Sequence, residues 1–156
     1  MKRICRYLQG TKENGLVFNS SKKLVVDCYA DADFSGLWGH EDPQDPICAR
    51  SRNLFAVTFA CCLILWVSKL QTDIALSTLH SEYVALSCSV RSLLPFKSII
   101  KEVIDKLGID SNNLKIVSSA TIYEENNGAI VVATSTRTTT TSTHISVKYN
   151  WFRQHV

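Results

Sequence analysis

Proline and glycine are scarce in this chain, at 3 and 6 of 156 residues. That excludes collagen-like and Pro-rich low-complexity classes. Long hydrophobic runs are lacking as well. The longest, Leu54 to Val67 with Thr58 inside it, is too short to cross a bilayer as a helix. The basic start (Lys2, Arg3, Arg6) has no long apolar stretch behind it, so no secretory signal is read. An intracellular, non-secreted protein with no membrane partner is expected. Zinc spacing is missing too: Cys5, Cys28, Cys48, Cys61, Cys62 and Cys88 form no C-x-x-C pair, and no His pair follows. The six are expected to be reduced and mostly buried thiols.

What is present suits one domain of ordinary size. Hydrophobic residues make up 46% and charged residues 20%, enough for a buried core and too apolar for wholesale disorder. The formal charge of +3 is uneven. Residues 1–23 are strongly basic, residues 24–94 carry twice as many acids as bases, and residues 95–156 are mildly basic. The basic lead-in suits phosphates, and the acidic middle suits a cation. Charge alone favours plain solvation for both.

Residues 1–10 read as a helix with Ile4, Tyr7 and Leu8 on one face and Gly10 as its stop. Residues 16–18 suit a short strand. Leu24 to Ala30 is rich in β-formers and ends in a cluster of Asp, and residues 31–51, with Gly36, Gly39, Pro43 and Pro46, read as loop. Phe55 to Phe59 and Leu63 to Val67 favour a hairpin over one buried helix, although Ala60-Cys61-Cys62 offers no Gly or Asn for the turn. Ser77 or Thr78 then caps a helix whose stripe runs through Leu79, Tyr83, Leu86, Val90 and Leu94, with Glu82, Ala85 and Ser89 on an adjacent face.

Pro95 fits a kink or the first turn of a second helix, striped by Phe96, Ile99, Ile100, Val103, Ile104 and Leu107 and ended by Gly108. That stripe suits core packing far better than a partner surface. Residues 109–119 read as linker, and Ala120 to Glu124 as a short strand. Asn126 or Asn127 caps a brief helix through Ala133. Thr134 to Thr143 is Ser/Thr except for Arg137 and reads as a mobile loop. His144 to His155 suits a last helix with Ile145, Tyr149 and Phe152 along one side.

Three acidic sites share a setting. Asp31 and Asp33 sit at the end of the first strand. Glu82 sits in the first turns of the long helix. Glu124 and Glu125 sit where a later strand ends and a helix begins. If both strands are neighbours in one sheet, their carboxyl ends lie together, where open α/β sheets place ligands. A helix on that face can bring Glu82 to the same point. Converging carboxylates repel unless a cation lies between them. Oxygen ligands select Mg²⁺ or Mn²⁺ over zinc, and two such ions about 3.5–4 Å apart can activate a water and steady the leaving oxygen of a phosphodiester. Each acid alone reads as a turn, cap or solvated group. The ordered set carries the inference, and an Asp-x-Asp glycosyltransferase site has no other support.

The quoted segments, in order, resemble the ribonuclease H region of copia-type retrotransposon polyproteins. RYLQGTKENGLVF (Arg6 to Phe18) resembles the segment joining a reverse transcriptase to that region, and YADADFSG (Tyr29 to Gly36) its first-strand signature. WVSKLQTDIALST (Trp66 to Thr78) with SEYVALS (Ser81 to Ser87) is similar to the W-x-S-K-x-Q…A-L-S-S-x-E-A-E-Y block. IYEENNGAI (Ile122 to Ile130) is similar to I-Y-C-D-N-Q-S-A-I, and THISVKYNWFRQHV (Thr143 to Val156) to K-H-I-D-I-R-Y-H-F-I-R-E.

The resemblance implies an α/β ribonuclease H-like mixed sheet flanked by helices over residues 24–156. Residues 1–23 become a connector after a reverse transcriptase domain of the same polyprotein. The family pattern continues into a fifth strand and a last helix with a further acid. This sequence stops short of them, so both are expected to be lacking. Asp31, Glu82 and Glu125 are implied as catalytic and metal carboxylates for two Mg²⁺ or Mn²⁺ ions. The implied activity is hydrolysis of the RNA strand of an RNA–DNA hybrid, in a cytoplasmic particle or the nucleus. Asn126 and Asn127 are candidates for the hybrid backbone, with capping as their plainer role. Glu125 stands where the family has Asp. Its extra methylene shifts a ligand by about an ångström, and such a misplacement costs about a hundredfold in rate. The alternative is therefore an impaired or inactive remnant that at most binds nucleic acid.

Overall fold

The structure is a computed structural model. It describes residues 2–15, 17–18, 25–39, 44–108, 120–135, 149 and 151–155. The elements in chain order are α1 (Lys2–Thr11), β1 (Val26–Asp33), a 3₁₀ turn (Pro46–Ala49), β2 (Arg52–Phe59), β3 (Cys62–Leu70), α2 (Thr78–Lys106), β4 (Ala120–Tyr123), α3 (Asn127–Thr134) and a second 3₁₀ turn (Trp151–His155). The strands form one sheet in the order β3-β2-β1-β4. β1 runs antiparallel to β2 and parallel to β4, and β2 runs antiparallel to β3. Among the described residues this is a mixed α/β architecture with a mixed sheet and three α-helices, consistent with a ribonuclease H-like fold.

Strand alternation decides which face is covered. Val26, Cys28, Ala30 and Ala32 of β1, with Phe55 and Val57 of β2, are buried. Leu93, Phe96 and Ile100 of α2 pack on the outer part of that layer. A second cluster joins Tyr83, Val84, Leu86 and Val90 of α2 to Val132 and Ala133 of α3 and to Tyr149 and Phe152. On the opposite face Tyr29 and Tyr123 stack at 4.7 Å between ring centroids, both about half exposed.

Several expectations change. β1 runs on through Asp33, because β2 pairs with all of it up to Asp33↔Arg52. Asp31 and Asp33 therefore lie within the strand. Val17 and Phe18 belong to no regular element, since the sheet offers them no ladder partner. Gly10 does not stop α1, which continues to Thr11, where the Thr11 hydroxyl donates to the Tyr7 carbonyl at 2.8 Å. α1 buries none of its residues, so Ile4, Tyr7 and Leu8 face solvent.

Pro95 neither starts a second helix nor ends the first. α2 is one helix of 29 residues, and the inward stripe of Leu93, Phe96, Ile100 and Ile104 carries across the proline. Ile99, Val103 and Leu107 of the expected stripe are exposed instead. None of the six cysteines forms a disulfide. Cys28 and Cys48 are buried, Cys62 and Cys88 half-buried, and Cys5 and Cys61 exposed, so fewer are buried than expected. The last segment forms a 3₁₀ turn over Trp151–His155. The expected linker at 109–119, residues 136–143 of the Thr-rich loop, and positions 144–148 and 150 of the expected last helix lie outside the described residues. Among the described residues no helix is long and apolar enough to cross a membrane.

The hairpin forms despite its turn. Ala60 (φ +52°) and Cys61 (φ +64°) both adopt left-handed backbone, the pattern of a two-residue type I′ turn that usually recruits Asn-Gly. The twist-matched strands on either side impose this conformation. A β-carbon there costs on the order of 1–2 kcal/mol per residue. Cys61→Gly is therefore expected to stabilise the fold by about 1 kcal/mol, read as a raised urea midpoint at unchanged slope. A lowered midpoint would show that the turn carries no such strain.

Candidate active site

The site lies where β4 parts from β1. The parallel pairing runs only from Val26↔Ala120 to Tyr29↔Tyr123, while β1 continues beside β2 to Asp33. Past Tyr123 the chain turns into α3. Asn126 caps that helix, its Oδ1 accepting the Ala129 N–H at 3.0 Å. Glu124 Oε1 in turn accepts the Asn126 N–H at 2.9 Å. Gly128 lets α3 approach α2, because a β-carbon there would lie 2.8 Å from Leu79 Cδ1. The end of β1 thus loses its neighbour on one side, and a notch opens.

α2 fills that notch from the covered face. Ser77 caps it, accepting the His80 N–H at 3.1 Å. The first turns are fastened by Gln71, whose side-chain nitrogen donates to Asn53 Oδ1 at 2.7 Å and to the Ser81 carbonyl at 2.9 Å. The next residue is Glu82, only 7% exposed. Its carboxylate accepts the backbone N–H of Ala32, the residue after Asp31 on β1.

Two of the expected trio share one cavity, and Glu82 is not among its lining residues. Asp31 and Glu125 line a cavity of about 650 Å³ together with Glu124, the Tyr29–Tyr123 pair and the apolar Leu86, Ile122 and Ile130. Glu82 feels the charges of Glu124, Asp31 and Glu125, in falling order. Glu124, named with Glu125 among the acidic sites but not in the implied trio, lines the same cavity. It is half-buried where Glu125 is exposed. The usable signal was parity: Glu124 shares the inward phase of Ile122 in β4. Gln71 was also missed as a positioning residue, because a lone polar residue after a strand carries no periodic signal. Asn126 Oδ1 is engaged in the cap, whereas Asn127 is exposed at the first position of α3.

Burial raises the Glu82 carboxyl from about 4.5 to about 7, with the repulsion of Glu124, Asp31 and Glu125 adding to it and the Ala32 N–H opposing. Burial also raises Glu124. Asp31 and Glu125 push it further up, and the N–H groups of Asn126 and Glu125 hold it back. One oxygen of each, Glu82 Oε2 and Glu124 Oε2, is buried with no hydrogen-bond partner among the described residues. Oxygen-only donors around unpartnered acceptors fit a hard divalent cation. Among the described residues no three His, Cys, Asp or Glu side chains are arranged to hold a metal ion.

The chain is 30% identical over all 156 residues to the retrovirus-related Pol polyprotein from transposon TNT 1-94 of Nicotiana tabacum. It is 28% identical over the same span to that from transposon RE1 of Arabidopsis thaliana. Its homologues are retrovirus-related Pol polyproteins of plant transposons. The chain spans about a tenth of the length of these two relatives. It is also 37% identical over 89 residues to the secreted RxLR effector protein 161 of Plasmopara viticola, matching 56% of each chain. No family model matches the sequence, and no solved structure matches it.

The raised Glu82 carboxyl sets the sign of a pH effect. The folded state holds this proton more tightly than the unfolded chain does. Its contribution is therefore present in acid and lost as pH rises from about 4.5 through about 7. The melting temperature of the metal-free chain is expected to be higher at about pH 5 than at about pH 8, and Glu82→Gln should flatten that difference. An unchanged profile in Glu82→Gln would assign the titration to another group.

Proposed function

We propose that this chain is the ribonuclease H-like domain of a retrotransposon Pol polyprotein, acting on the RNA strand of RNA–DNA hybrids. The observation that carries the reading is the cavity shared by Asp31, Glu124 and Glu125 at the notch between β1 and β4, with the buried Glu82 within reach of all three charges. Relatives that align over the whole chain support the polyprotein context. A reverse transcriptase domain of the same polyprotein is the natural neighbour.

Asp31 and Glu82 would hold the divalent cations, Mg²⁺ or Mn²⁺, with a further carboxylate from the 124–125 pair. When bound, such ions lower the pKa of a water and steady the leaving oxygen of a phosphodiester. Asp31 presents its carboxylate from the rigid β1, flanked by Asp33. Glu82 is fixed by the Ala32 N–H and by the fastening of α2 through Gln71. Asn127 offers an exposed amide at the start of α3 for the hybrid backbone. Recognition would rest on A-like shape and 2′-hydroxyls rather than on base sequence.

A second reading, an impaired remnant that binds hybrid without cutting it, draws on Glu125 standing where the resemblance calls for Asp, and on the lack of a three-carboxylate set among the described residues. One assay separates the two. The full chain is incubated with a labelled RNA–DNA hybrid in Mg²⁺ or Mn²⁺. The RNA strand should be cut, and Asp31→Asn or Glu82→Gln should lower the rate by about a hundredfold or more. Binding without cleavage would establish the remnant, and cleavage surviving both substitutions would remove the site.

A further inference from the structure

We propose that Glu124, rather than its neighbour Glu125, is the carboxylate that joins Glu82 in holding a divalent cation at this site. The inference rests on the metal-dependent reading above and names which side chain does the work. Three observations support it independently of the motif, which points to position 125.

First, Glu82 Oε2 and Glu124 Oε2 are both buried and without a hydrogen-bond partner among the described residues. The remainder of each carboxylate is oriented by the backbone, Glu82 by the Ala32 N–H and Glu124 Oε1 by the Asn126 N–H. Each glutamate therefore presents one acceptor that no described residue satisfies, and Glu82 is only 7% exposed. A buried acceptor left bare costs on the order of 1–3 kcal/mol, more when charged. A cation between the two removes that cost at both ends.

Second, the phase of β4 separates the adjacent acids. Ile122 and Glu124 are half-buried and share the phase that faces α2, whereas Tyr123 and Glu125 are exposed. Glu125 thus shares its phase with the exposed Tyr123. Third, Glu124 is the charge that acts most strongly on Glu82. Mg²⁺ needs only one or two protein carboxylates, so a Glu82–Glu124 pair is a sufficient inner set, with Asp31 across the cavity.

The test is cation binding by the full chain, followed as the rise in melting temperature with Mg²⁺ or Mn²⁺ and by titration calorimetry, for the unsubstituted chain, Glu124→Gln and Glu125→Gln. A site that binds cation stabilises the fold by mass action. Glu124→Gln is expected to raise the half-saturating metal concentration about tenfold or more, since even outer carboxylates contribute that much. Glu125→Gln should shift it much less. Without metal, Glu124→Gln should melt higher than the unsubstituted chain, because it removes the repulsion on Glu82; this also shows that the variant folds.

An unchanged midpoint in Glu124→Gln, or a larger loss in Glu125→Gln, overturns the assignment while the hydrolytic reading stands. Metal binding that depends on Glu124 in a chain that leaves the hybrid uncut supports the assignment and removes the hydrolytic reading. No metal effect in the unsubstituted chain overturns both, and leaves a proton shared between Glu82 and Glu124 as the sole occupant.

Discussion

Carboxylates drawn out of water and toward one another repel, and they stay ionised only where a positive partner lies among them. The end of β1 is built around that constraint. Asp31, Glu124 and Glu125 share one cavity, and the buried Glu82 of α2 lies within reach of their charges. Among the described residues no lysine or arginine is bridged to any of the four; the side-chain ion pairs there join Lys12 to Glu13 and Lys106 to Glu102. The repulsion is instead moderated by backbone N–H groups and by protonation of Glu82.

The scaffold holds Glu82 in place against that repulsion. Gln71 links β2, the end of β3 and the first turn of α2 through one buried amide. The C-terminal turn reinforces the other side of the helix. Trp151 Nε1 donates to Ser87 Oγ at 3.1 Å, Arg153 Nε donates to the Tyr83 hydroxyl at 2.9 Å, and the Tyr149 hydroxyl donates to Asp73 Oδ2 at 2.9 Å. Phe152 fills the space against Tyr83 with no exposure of its own. With α2 pinned from both sides, Glu82 cannot swing out to water without breaking packed contacts. This is why a site that repels itself can persist in a folded chain.

The same packing overrides local preference elsewhere. Pro95 removes one helical hydrogen bond and would end an isolated helix, but the apolar residues on both sides of it bury against one sheet. Ala60 and Cys61 accept left-handed backbone because the flanking strands twist to meet there. In both places a local cost is outweighed by burial spread over two elements.

The sequence by itself determined the types of the main strands and of α2 and α3, and the order of the acids. Runs rich in β-formers, a Ser cap ahead of a 3.6-residue stripe, and an Asn cap before α3 are local signals, and the structure carries all three. Only the tertiary structure decided how far β1 extends, because ladder pairing with β2 carries it past the acids. It also decided that α2 continues through Pro95 and that Glu124 rather than Glu125 turns inward. Those outcomes depend on which neighbour lies across a strand or against a helix face. That is a relation between residues far apart in sequence, and no window of local pattern contains it.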